Sequence, residues 1–249
     1  MSVGVRRPGV PLVSVVMPVY NEGTTVGTVI EDLLTRNFPD FDIELIVVES
    51  NSLDSSREVV RRFEHQPGVK LILQEEALGK GFAVRRGFYE VSGEIILIQD
   101  ADLEYTIDDY PALIKPIVDG RASVVLGVRP NSNGAMRVMP GEPWSSRITN
   151  FGHVLFTHIF NLLYGQHLQD PFTMYKVFRV ECIQGLRFSA KRFDFDWELL
   201  GKLCRRGFEP LEVPVSYRSR GFRSGKKIRK VKDPVTWVVA AIKYRLCKL

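Results

Sequence analysis

The stretch Glu94-Ile95-Ile96-Leu97-Ile98-Gln99-Asp100-Ala101-Asp102-Leu103-Glu104 runs from four consecutive apolar residues directly into three acidic residues spaced two apart. Such an apolar run is typical of a strand buried on both faces, as in a parallel sheet flanked by helices. Ligand sites of these sheets lie beyond the carboxyl ends of the strands. Alternate residues of an extended segment project to one side, so we expect Asp100, Asp102 and Glu104 to bind one Mg²⁺ or Mn²⁺ ion. A solvated acidic turn is the alternative.

Two earlier segments show the same pattern of a short strand that ends in polar residues. The first covers residues 13–19 and leads into Tyr20-Asn21-Glu22, and the second covers residues 43–48 and leads into the polar loop 49–56. A helical pattern separates the two strands. Alternating strands and helices predict an α/β fold with a mostly parallel twisted sheet flanked by helices, and a Rossmann-like nucleotide-binding half. Each strand therefore delivers polar residues to one edge of the sheet. Further along, Gly79-Lys80-Gly81 precedes another helical pattern, where backbone amides can meet a phosphate.

Length and composition indicate one enzyme domain. The 249 residues are 45% hydrophobic and 25% charged, which suffices for a substantial core. Three widely spaced cysteines argue against a disulfide framework and against a zinc site. The first ten residues lack the apolar core of a secretory signal. The sequence contains no run of about 18 apolar residues, so it predicts no membrane-spanning helix. We therefore expect a cytoplasmic protein.

Charge is distributed unevenly along the chain. Residues 202–249 contain 14 Lys or Arg and 3 Asp or Glu, and residues 218–232 contain eight basic residues and no acidic one. This segment is expected to bind phosphates. After Pro234, apolar residues recur at helical spacing beside Lys243, Arg245 and Lys248, which suits a helix in a membrane interface as well as a helix packed on the core. A second apolar helix is predicted over residues 147–164, and for its apolar residues Ile148, Phe151, Leu155, Ile159 and Leu162 we favour core packing.

Taken in order, these and further motifs resemble the family 2 glycosyltransferases with the GT-A fold, and among them the polyprenyl-phosphate sugar transferases. The resemblance covers residues 13 to about 232. The motifs that carry it are Met17-Pro18-Val19-Tyr20-Asn21-Glu22, the loop 49–56, Gly79-Lys80-Gly81, Gln99-Asp100-Ala101-Asp102-Leu103-Glu104-Tyr105, Leu126-Gly127-Val128-Arg129, Asp170-Pro171, Phe195-Asp196-Trp197-Glu198-Leu199 and Glu212-Val213-Pro214-Val215-Ser216-Tyr217 ahead of Arg220 and Gly225-Lys226-Lys227-Ile228. No single motif is specific, but their order is.

The resemblance implies an enzyme that moves a sugar, with inversion, from a GDP- or UDP-linked donor to a polyprenyl phosphate such as dolichyl or undecaprenyl phosphate. Asp102 and Asp100 would hold the metal beside the donor diphosphate. The donor-binding residues implied are Pro18, Tyr20, Glu22, Glu49, Lys80, Asp100, Ala101 and Asp102. The acceptor-phosphate ligands implied are Arg129, Arg147, Arg220 and Lys226. In the loop that follows the predicted strand 43–48, the family usually has two adjacent aspartates. This chain has Glu49 and Ser50 there.

The acceptor decides the role of Asp196. A hydroxyl acceptor must lose a proton, and Asp196 lies where many family members place the general base. A polyprenyl phosphate arrives already anionic and needs cations, so Asp196 would then orient a cationic neighbour. Asp102, Asp196 and Arg220 are accordingly the predicted catalytic residues.

Three other functions fit parts of the sequence. A glycosyltransferase of the same fold, inverting or retaining, with a soluble hydroxyl acceptor would leave the basic segment without a lipid to bind. A sugar nucleotidyltransferase is expected to carry a basic glycine-rich loop after its first strand, where Tyr20-Asn21-Glu22-Gly23 is acidic. A nucleic-acid-binding module would explain the segment 218–232 but not the acidic remainder of the chain, so no nucleic acid is expected as a partner.

The predicted organisation has three parts. Residues 1–12 form a flexible tail, residues 13–232 form the GT-A domain, and residues 233–249 form an amphipathic basic helix. Within the domain, residues 13–104 bind the nucleotide and residues 105–232 bind the acceptor. We expect peripheral contact with the cytoplasmic face of a membrane, with a membrane partner subunit or a second copy of the chain as further partners.

Overall fold

The computed structural model describes residues 4, 6–130, 136, 138, 141–219 and 232–247, with side chains of the last segment from residue 236 onward. The described residues form a seven-stranded sheet with helices on both faces. The strands are β1 (Leu12–Val19), β2 (Asp42–Glu49), β3 (Val69–Leu73), β4 (Ile95–Ile98), β5 (Val124–Val128), β6 (Lys176–Arg179) and β7 (Leu211–Pro214). The helices are α1 (Val26–Thr35), α2 (Ser56–Arg61), α3 (Lys80–Phe88), α4 (Tyr110–Val118), α5 (Pro143–Tyr164), α6 (Phe195–Arg205) and α7 (Lys232–Leu246).

The sheet is mostly parallel, which confirms the predicted fold class. Its strand order is β3-β2-β1-β4-β6-β5-β7. Strand β1 pairs in parallel with β2 on one side and with β4 on the other, and antiparallel β6 lies between β4 and β5. Because the chain leaves β1 toward β2 and returns to β1's other side with β4, a crevice opens between the carboxyl ends of β1 and β4. Residues 99–104 emerge at this crevice.

Alternate residues of the central strands supply two apolar cores, one on each face of the sheet. Ile95 and Leu97 of β4 belong to the core beneath α1 and α4, whereas Ile96 and Ile98 belong to the core beneath α3, α5, α6 and α7. All four side chains are at most 1% exposed. Burial on both faces therefore accounts for the unbroken apolar run in the sequence.

The described residues ahead of β1 are anchored at Arg7. Its Nε donates to Oδ1 of Asp42 at 2.7 Å, and its backbone N–H donates to Oδ2 of the same carboxylate at 2.6 Å. Nη2 of Arg7 donates to the backbone oxygens of Phe38 and Phe41. These contacts hold the end of the segment 1–12 against the start of β2.

The side of helix α5 that packs on the core is opposite to the side that carries most of the predicted apolar residues. Phe156, Phe160 and Tyr164 are buried in the second core. Ile148 and Phe151 are each 71% exposed. Of the other residues that we expected to pack in the core, Leu155 and Leu162 are also exposed and Ile159 is partly buried. Core packing is therefore the wrong prediction for Ile148, Phe151, Leu155 and Leu162, whereas Ile159 does pack against the second core.

Helix α7 shows the same arrangement beside α5. Ala240, Ala241 and Tyr244 pack on the second core. The predicted apolar stripe faces outward, and its described members Val238, Val239, Ile242 and Leu246 are all exposed. Together with Trp144, Ile148, Phe151, Val154, Leu155 and Leu162 of α5, these residues form what we name the apolar surface. No helix among the described residues is both long and apolar enough to cross a bilayer.

Candidate active site

A cavity of about 790 Å³ opens at the carboxyl edge of the sheet. Residues after β1 and after β4 form its walls at the crevice described above. Its lining includes Pro18, Tyr20, Glu22, Ser50, Gly79, Lys80, Asp100, Ala101, Asp102, Glu104, Tyr105, Arg129, Ile148, Phe151, Phe156, Phe172, Met174, Arg192, Asp196, Trp197, Tyr217 and Trp237. Predicted site residues from both parts of the chain, among them Asp102, Arg129 and Asp196, therefore share one cavity.

The loops after β1 and β2 are joined by hydrogen bonds. The backbone N–H of Asn21 donates to Oγ of Ser52 at 2.9 Å, and Oδ1 of Asn21 accepts from the backbone N–H of Leu53 at 2.8 Å. The N–H of Glu22 donates to Oγ of Ser56 at 2.7 Å. Asn21 has φ of 51°, a left-handed conformation that asparagine tolerates better than most residues. This network fixes the turn that presents Tyr20 and Glu22 to the cavity.

Glu49 differs from its predicted place in the nucleoside pocket. Its side chain is fully buried behind the cavity wall. Oε1 accepts from the backbone N–H of Ser52 at 2.6 Å, and Oε2 accepts from Nε of Arg57. The adjacent Ser50 lines the cavity instead, and its hydroxyl donates to Oε1 of Gln74 at 2.8 Å. Arg57 thus holds the carboxylate of Glu49 inside the protein.

The three acidic residues after β4 have different partners. Oδ1 of Asp100 accepts from Nζ of Lys80. Oδ1 of Asp102 accepts from the backbone N–H of Glu104 at 3.0 Å, and Oε2 of Glu104 accepts from the hydroxyl of Tyr217 at 2.8 Å. Over the described part of the chain, no three His, Cys, Asp or Glu side chains converge as a metal-binding group. Asp100 and Asp102 nevertheless line the same cavity, beside the ammonium of Lys80.

The glycines of Gly79-Lys80-Gly81 serve close packing. A Cβ on Gly81 would lie 2.7 Å from Cβ of Phe195 and 2.9 Å from the backbone oxygen of Arg192. Gly79 has φ of +100°, and a Cβ there would lie 2.5 Å from the backbone oxygen of Lys191. The N–H of Phe82, at the start of α3, donates to the same oxygen at 3.1 Å. These glycines thus let α3 meet the loop ahead of α6.

Arg129 pairs with Asp170 at the cavity wall. Nε and Nη2 of Arg129 donate to the two carboxylate oxygens of Asp170, each at 2.7 Å. Burial opposes the positive charge, but Asp170 outweighs it and holds the pKa of Arg129 well above its ordinary value. The guanidinium carbon also lies 5.2 Å from the ring centre of Tyr217. Much of the hydrogen-bonding capacity of this predicted phosphate ligand is therefore committed within the protein.

The other predicted acceptor ligands have different positions. Arg147 is exposed on α5 and stacks on Trp144, with its guanidinium carbon 5.3 Å from the ring centre. It is not among the residues that line the cavity. Arg220 and Lys226 lie outside the described residues, as does most of the basic segment 218–232.

Tyr105 links the loop after β4 to the segment ahead of β6. Its hydroxyl lies 3.3 Å from Oγ1 of Thr173 and accepts from the backbone N–H of Met174 at 3.2 Å. Burial raises the pKa of this phenol well above its ordinary value, so the hydroxyl keeps its proton. The carboxylate loop is thereby fixed against the wall that carries Phe172 and Met174.

A match over residues 14–187 to the family model "Glycosyl transferase family 2" agrees with this arrangement. The chain belongs to glycosyl transferase family 2. It is therefore a glycosyltransferase, as its motifs predict.

The chain is also similar to individual proteins. A dolichyl-phosphate beta-glucosyltransferase of Trichomonas vaginalis is 30% identical over 245 residues, covering 92% of this chain and 71% of the relative. The dolichol-phosphate mannosyltransferase of Pyrococcus furiosus is 28% identical over 216 residues, covering 84% and 58% respectively. A solved structure of Mycobacterium tuberculosis glucosyl-3-phosphoglycerate synthase with Mn²⁺ and UDP-glucose has a TM-score of 0.68 at 22% identity, covering 94% of this chain and 79% of that one. The last likeness establishes the fold.

Lys176, which the structure brings to the site, is not part of the motifs quoted above. It is 1% exposed on β6, and its Nζ lies 2.8 Å from Oδ1 of Asp196. Asp196 lines the cavity near the start of α6. The available signal was a lysine inside the otherwise apolar run Tyr175-Lys176-Val177-Phe178, since a charged residue in a central strand implies a buried partner.

Proposed function

We propose that this protein transfers a hexosyl group, with inversion, from a nucleoside-diphosphate sugar to a polyprenyl phosphate at a membrane surface. The observation that carries the proposal is the continuity of the cavity. Asp100 and Asp102 line one part of the cavity. Ile148 and Phe151 of α5 and Trp237 of α7 line another part. An acceptor with an anionic head and a long apolar tail matches a cavity that joins charged residues to the apolar surface.

The donor would occupy the crevice between β1 and β4. Pro18, Tyr20, Glu22 and Ala101 line it and would contact the nucleoside, with Tyr20 packing on ribose or base. Ser50, at the position where Glu49 was expected, would meet the base. Lys80 would offer its ammonium to the diphosphate. A GDP- or UDP-linked sugar is the proposed donor, and the UDP-glucose in the structure of the related synthase supports the second.

The donor set fits a hard divalent cation. Asp100 and Asp102 offer carboxylate oxygens, and Mg²⁺ is commonly held by one or two carboxylates plus substrate phosphates. Asp102, Asp100 and, directly or through water, Glu104 are the proposed ligands of Mg²⁺ or Mn²⁺. When bound, the ion would neutralise charge on the leaving diphosphate. The ammonium of Lys80 already neutralises Asp100 from one side.

The reaction is a displacement at the anomeric carbon. A phosphate oxygen of the acceptor forms the new bond to the anomeric carbon. The bond between this carbon and the diphosphate oxygen breaks, and the nucleoside diphosphate leaves with the bonding electrons. No proton has to be removed from an acceptor that is already anionic. Arg129, Arg147, Arg220 and Lys226 are the proposed cations for the acceptor phosphate, and arginine's planar fork suits that role.

Membrane contact would come from the apolar surface. Isolated exposed apolar residues are common, but ten of them on two helices that contact each other favour an interaction site. Exposed Arg147, Lys243 and Arg245 lie on the same helices, and the chain from residue 202 onward is strongly basic, which favours an anionic bilayer. The names of the relatives, which act on dolichyl or dolichol phosphate, agree. The proposed location is peripheral, on the cytoplasmic face, with or without a membrane partner subunit or a second copy.

A transfer assay tests this function. The purified chain is incubated with UDP-glucose or GDP-mannose and Mg²⁺ or Mn²⁺, together with undecaprenyl phosphate or undecaprenol in the same detergent. We expect sugar transfer to the phosphate and none to the alcohol, because the two share a tail and differ in the charged head. Transfer to neither, with any donor and metal, would overturn the proposal.

The membrane contact is tested by vesicle flotation. We expect the chain to float with vesicles of phosphatidylcholine and phosphatidylserine, and Ile148→Asp or Ile242→Asp to remain in solution. Tyr89→Asp is the matched control, because Tyr89 is 79% exposed but lies outside α5 and α7. Equal flotation of all variants would exclude the apolar surface as the contact.

A soluble hydroxyl acceptor is the second candidate, and Asp196 on the cavity wall is the observation that favours it. That reaction needs a base, so it predicts transfer to undecaprenol or to small alcohols in the same assay. It would leave the apolar surface without a part in the reaction.

A further inference from the structure

The ion pair between Lys176 and Asp196 spans the boundary between core and cavity. Lys176 lies on β6, in the middle of the sheet, and its side chain is 1% exposed. Its ammonium also donates to the backbone oxygen of Thr173. The carboxylate of Asp196 is 14% exposed and lines the cavity, while the next residue, Trp197, is buried in the second core. The charge of Lys176 is thus inside the protein and that of Asp196 faces the cavity.

This arrangement restricts what Asp196 can do. A buried ammonium requires a charged partner, and removal of one member of such a pair is strongly unfavourable. A proton transferred to Asp196 would neutralise the carboxylate and leave the ammonium of Lys176 buried beside a neutral acid. The pair therefore opposes the step that a general base must perform.

A carboxylate that stays ionised accepts hydrogen bonds and donates none. The cavity that Asp196 lines also holds Asp100 and Asp102, where the donor diphosphate is proposed to lie. Between that diphosphate and an anionic acceptor lies the sugar, whose hydroxyls are the donors available to such a carboxylate. Hydrogen bonds to a charged group are stronger than those to a neutral one.

We propose that Lys176 is a positioning residue whose ion pair orients the carboxylate of Asp196, and that Asp196 binds hydroxyl groups of the donor sugar instead of taking a proton from the acceptor. This inference rests on the proposed function, because it requires a sugar nucleotide in the cavity. It assigns sugar recognition to residues from β6 and α6 and nucleotide recognition to the loops after β1 and β4.

Calorimetry separates the sugar from the nucleotide. Binding of UDP-glucose and UDP, and of GDP-mannose and GDP, is measured in the presence of Mg²⁺, and the pair that the wild-type protein binds is used for the variants. We expect Asp196→Asn and Lys176→Met to weaken binding of the sugar nucleotide about tenfold, or about 1.4 kcal/mol. Both should bind the plain nucleoside diphosphate as the wild-type protein does. Lys176→Arg, which keeps the charge, should retain more affinity for the sugar nucleotide than Lys176→Met.

Two results would overturn the inference. The first is that Asp196→Asn binds the sugar nucleotide like the wild-type protein yet turns over about 100-fold more slowly or worse, which is the signature of a lost general base. The second is that Lys176→Met weakens binding of the nucleoside diphosphate and of the sugar nucleotide equally, which indicates a structural role alone. If thermal melts show that Lys176→Met does not fold, the result for Asp196→Asn decides. A selective loss of affinity for the sugar nucleotide would support the inference, and an equal loss of affinity for the sugar nucleotide and the nucleoside diphosphate would contradict it. Binding of neither nucleotide pair by the wild-type protein would overturn the proposed function itself.

Discussion

Both carboxylate oxygens of Asp170 accept from the guanidinium of Arg129, at 2.7 Å each, and both side chains are at most 2% exposed. The backbone N–H of Asp170 donates to Oε1 of Glu212, in β7, at 2.9 Å. The pair therefore joins the end of β5 to the segment ahead of β6 and to β7. Its charges are hidden from water, so each depends on the other.

Removal of Asp170 should destabilise the protein strongly. Asp170→Ala leaves a buried guanidinium without its carboxylate, and we expect the free energy of unfolding to fall by about 3–5 kcal/mol. Urea denaturation followed by circular dichroism measures this. The double variant Arg129→Met, Asp170→Leu should recover much of the loss, because apolar residues can replace a buried ion pair. A single-variant loss below about 1 kcal/mol would mean that water reaches the guanidinium.

Asp102→Ala should abolish turnover and leave the fold intact. Asp102 lies in a loop at the cavity edge, and loss of its negative charge should weaken metal-assisted stabilisation of the leaving diphosphate, with an expected drop in kcat of about 100-fold or more. Metal-dependent thermal stabilisation by UDP or GDP should disappear in the same variant. Asp108→Ala is the control, since the Asp108 side chain is 62% exposed and outside the cavity lining. Normal turnover by Asp102→Ala would contradict the metal assignment.

Gly81→Ala should separate α3 from the loop ahead of α6. The new Cβ would lie 2.7 Å from Cβ of Phe195, so backbone must shift, and overpacking of this kind costs about 1–3 kcal/mol. Gly152→Ala on α5 is the matched control, because among the described residues no atom beyond its chain neighbours and its own helix backbone lies within 4 Å of a Cβ there. Alanine's better helix propensity should make the control neutral or stabilising by up to about 1 kcal/mol. Similar thermal melts for the two variants would contradict the close contact.

Glu44 should stabilise the fold above acid pH. Burial alone would raise its pKa, but hydrogen bonds from Ser14 and Ser92, with Lys70 beside them, lower the pKa below its ordinary value of 4.5. The stabilisation is thus present above that value and is lost as pH falls through the lowered pKa. In urea denaturation series from about pH 7 to about pH 3, the stability difference between the wild-type protein and Glu44→Gln should be largest at neutral pH and shrink below pH 4.5. A difference that grows on acidification would contradict the direction of the shift.

Local sequence patterns predict well which residues after β1 and β4 meet at the cavity. After β1 and again after β4, the polar residues follow their strand directly in the chain. In a parallel sheet the ends of such strands lie at one edge, so the local patterns suffice to bring these residues together. The cavity lining accordingly contains Pro18, Tyr20, Asp100 and Asp102 together. Contacts between residues distant in sequence decide the rest. Glu49 is withdrawn by Arg57 from the following helix, which no pattern in the loop itself reveals.

The orientation of α5 shows a second limit of sequence analysis. Apolar residues surround most of this helix, so periodicity fixes its extent but not the side that meets the sheet. Packing selects Phe156 and Phe160, whose rings contact Trp197. The remaining apolar side chains, among them Ile148 and Phe151, face outward.

The contact between Gly81 and Phe195 also constrains how relatives of this chain can diverge. Lys80 stands beside one partner and Asp196 beside the other, so the backbone that carries the ammonium of Lys80 abuts the backbone that carries the carboxylate of Asp196. A Cβ at position 81 would lie 2.7 Å from Cβ of Phe195, so there is no room for a side chain there. A residue larger than glycine at position 81 therefore requires a matching shift of residues 190–195.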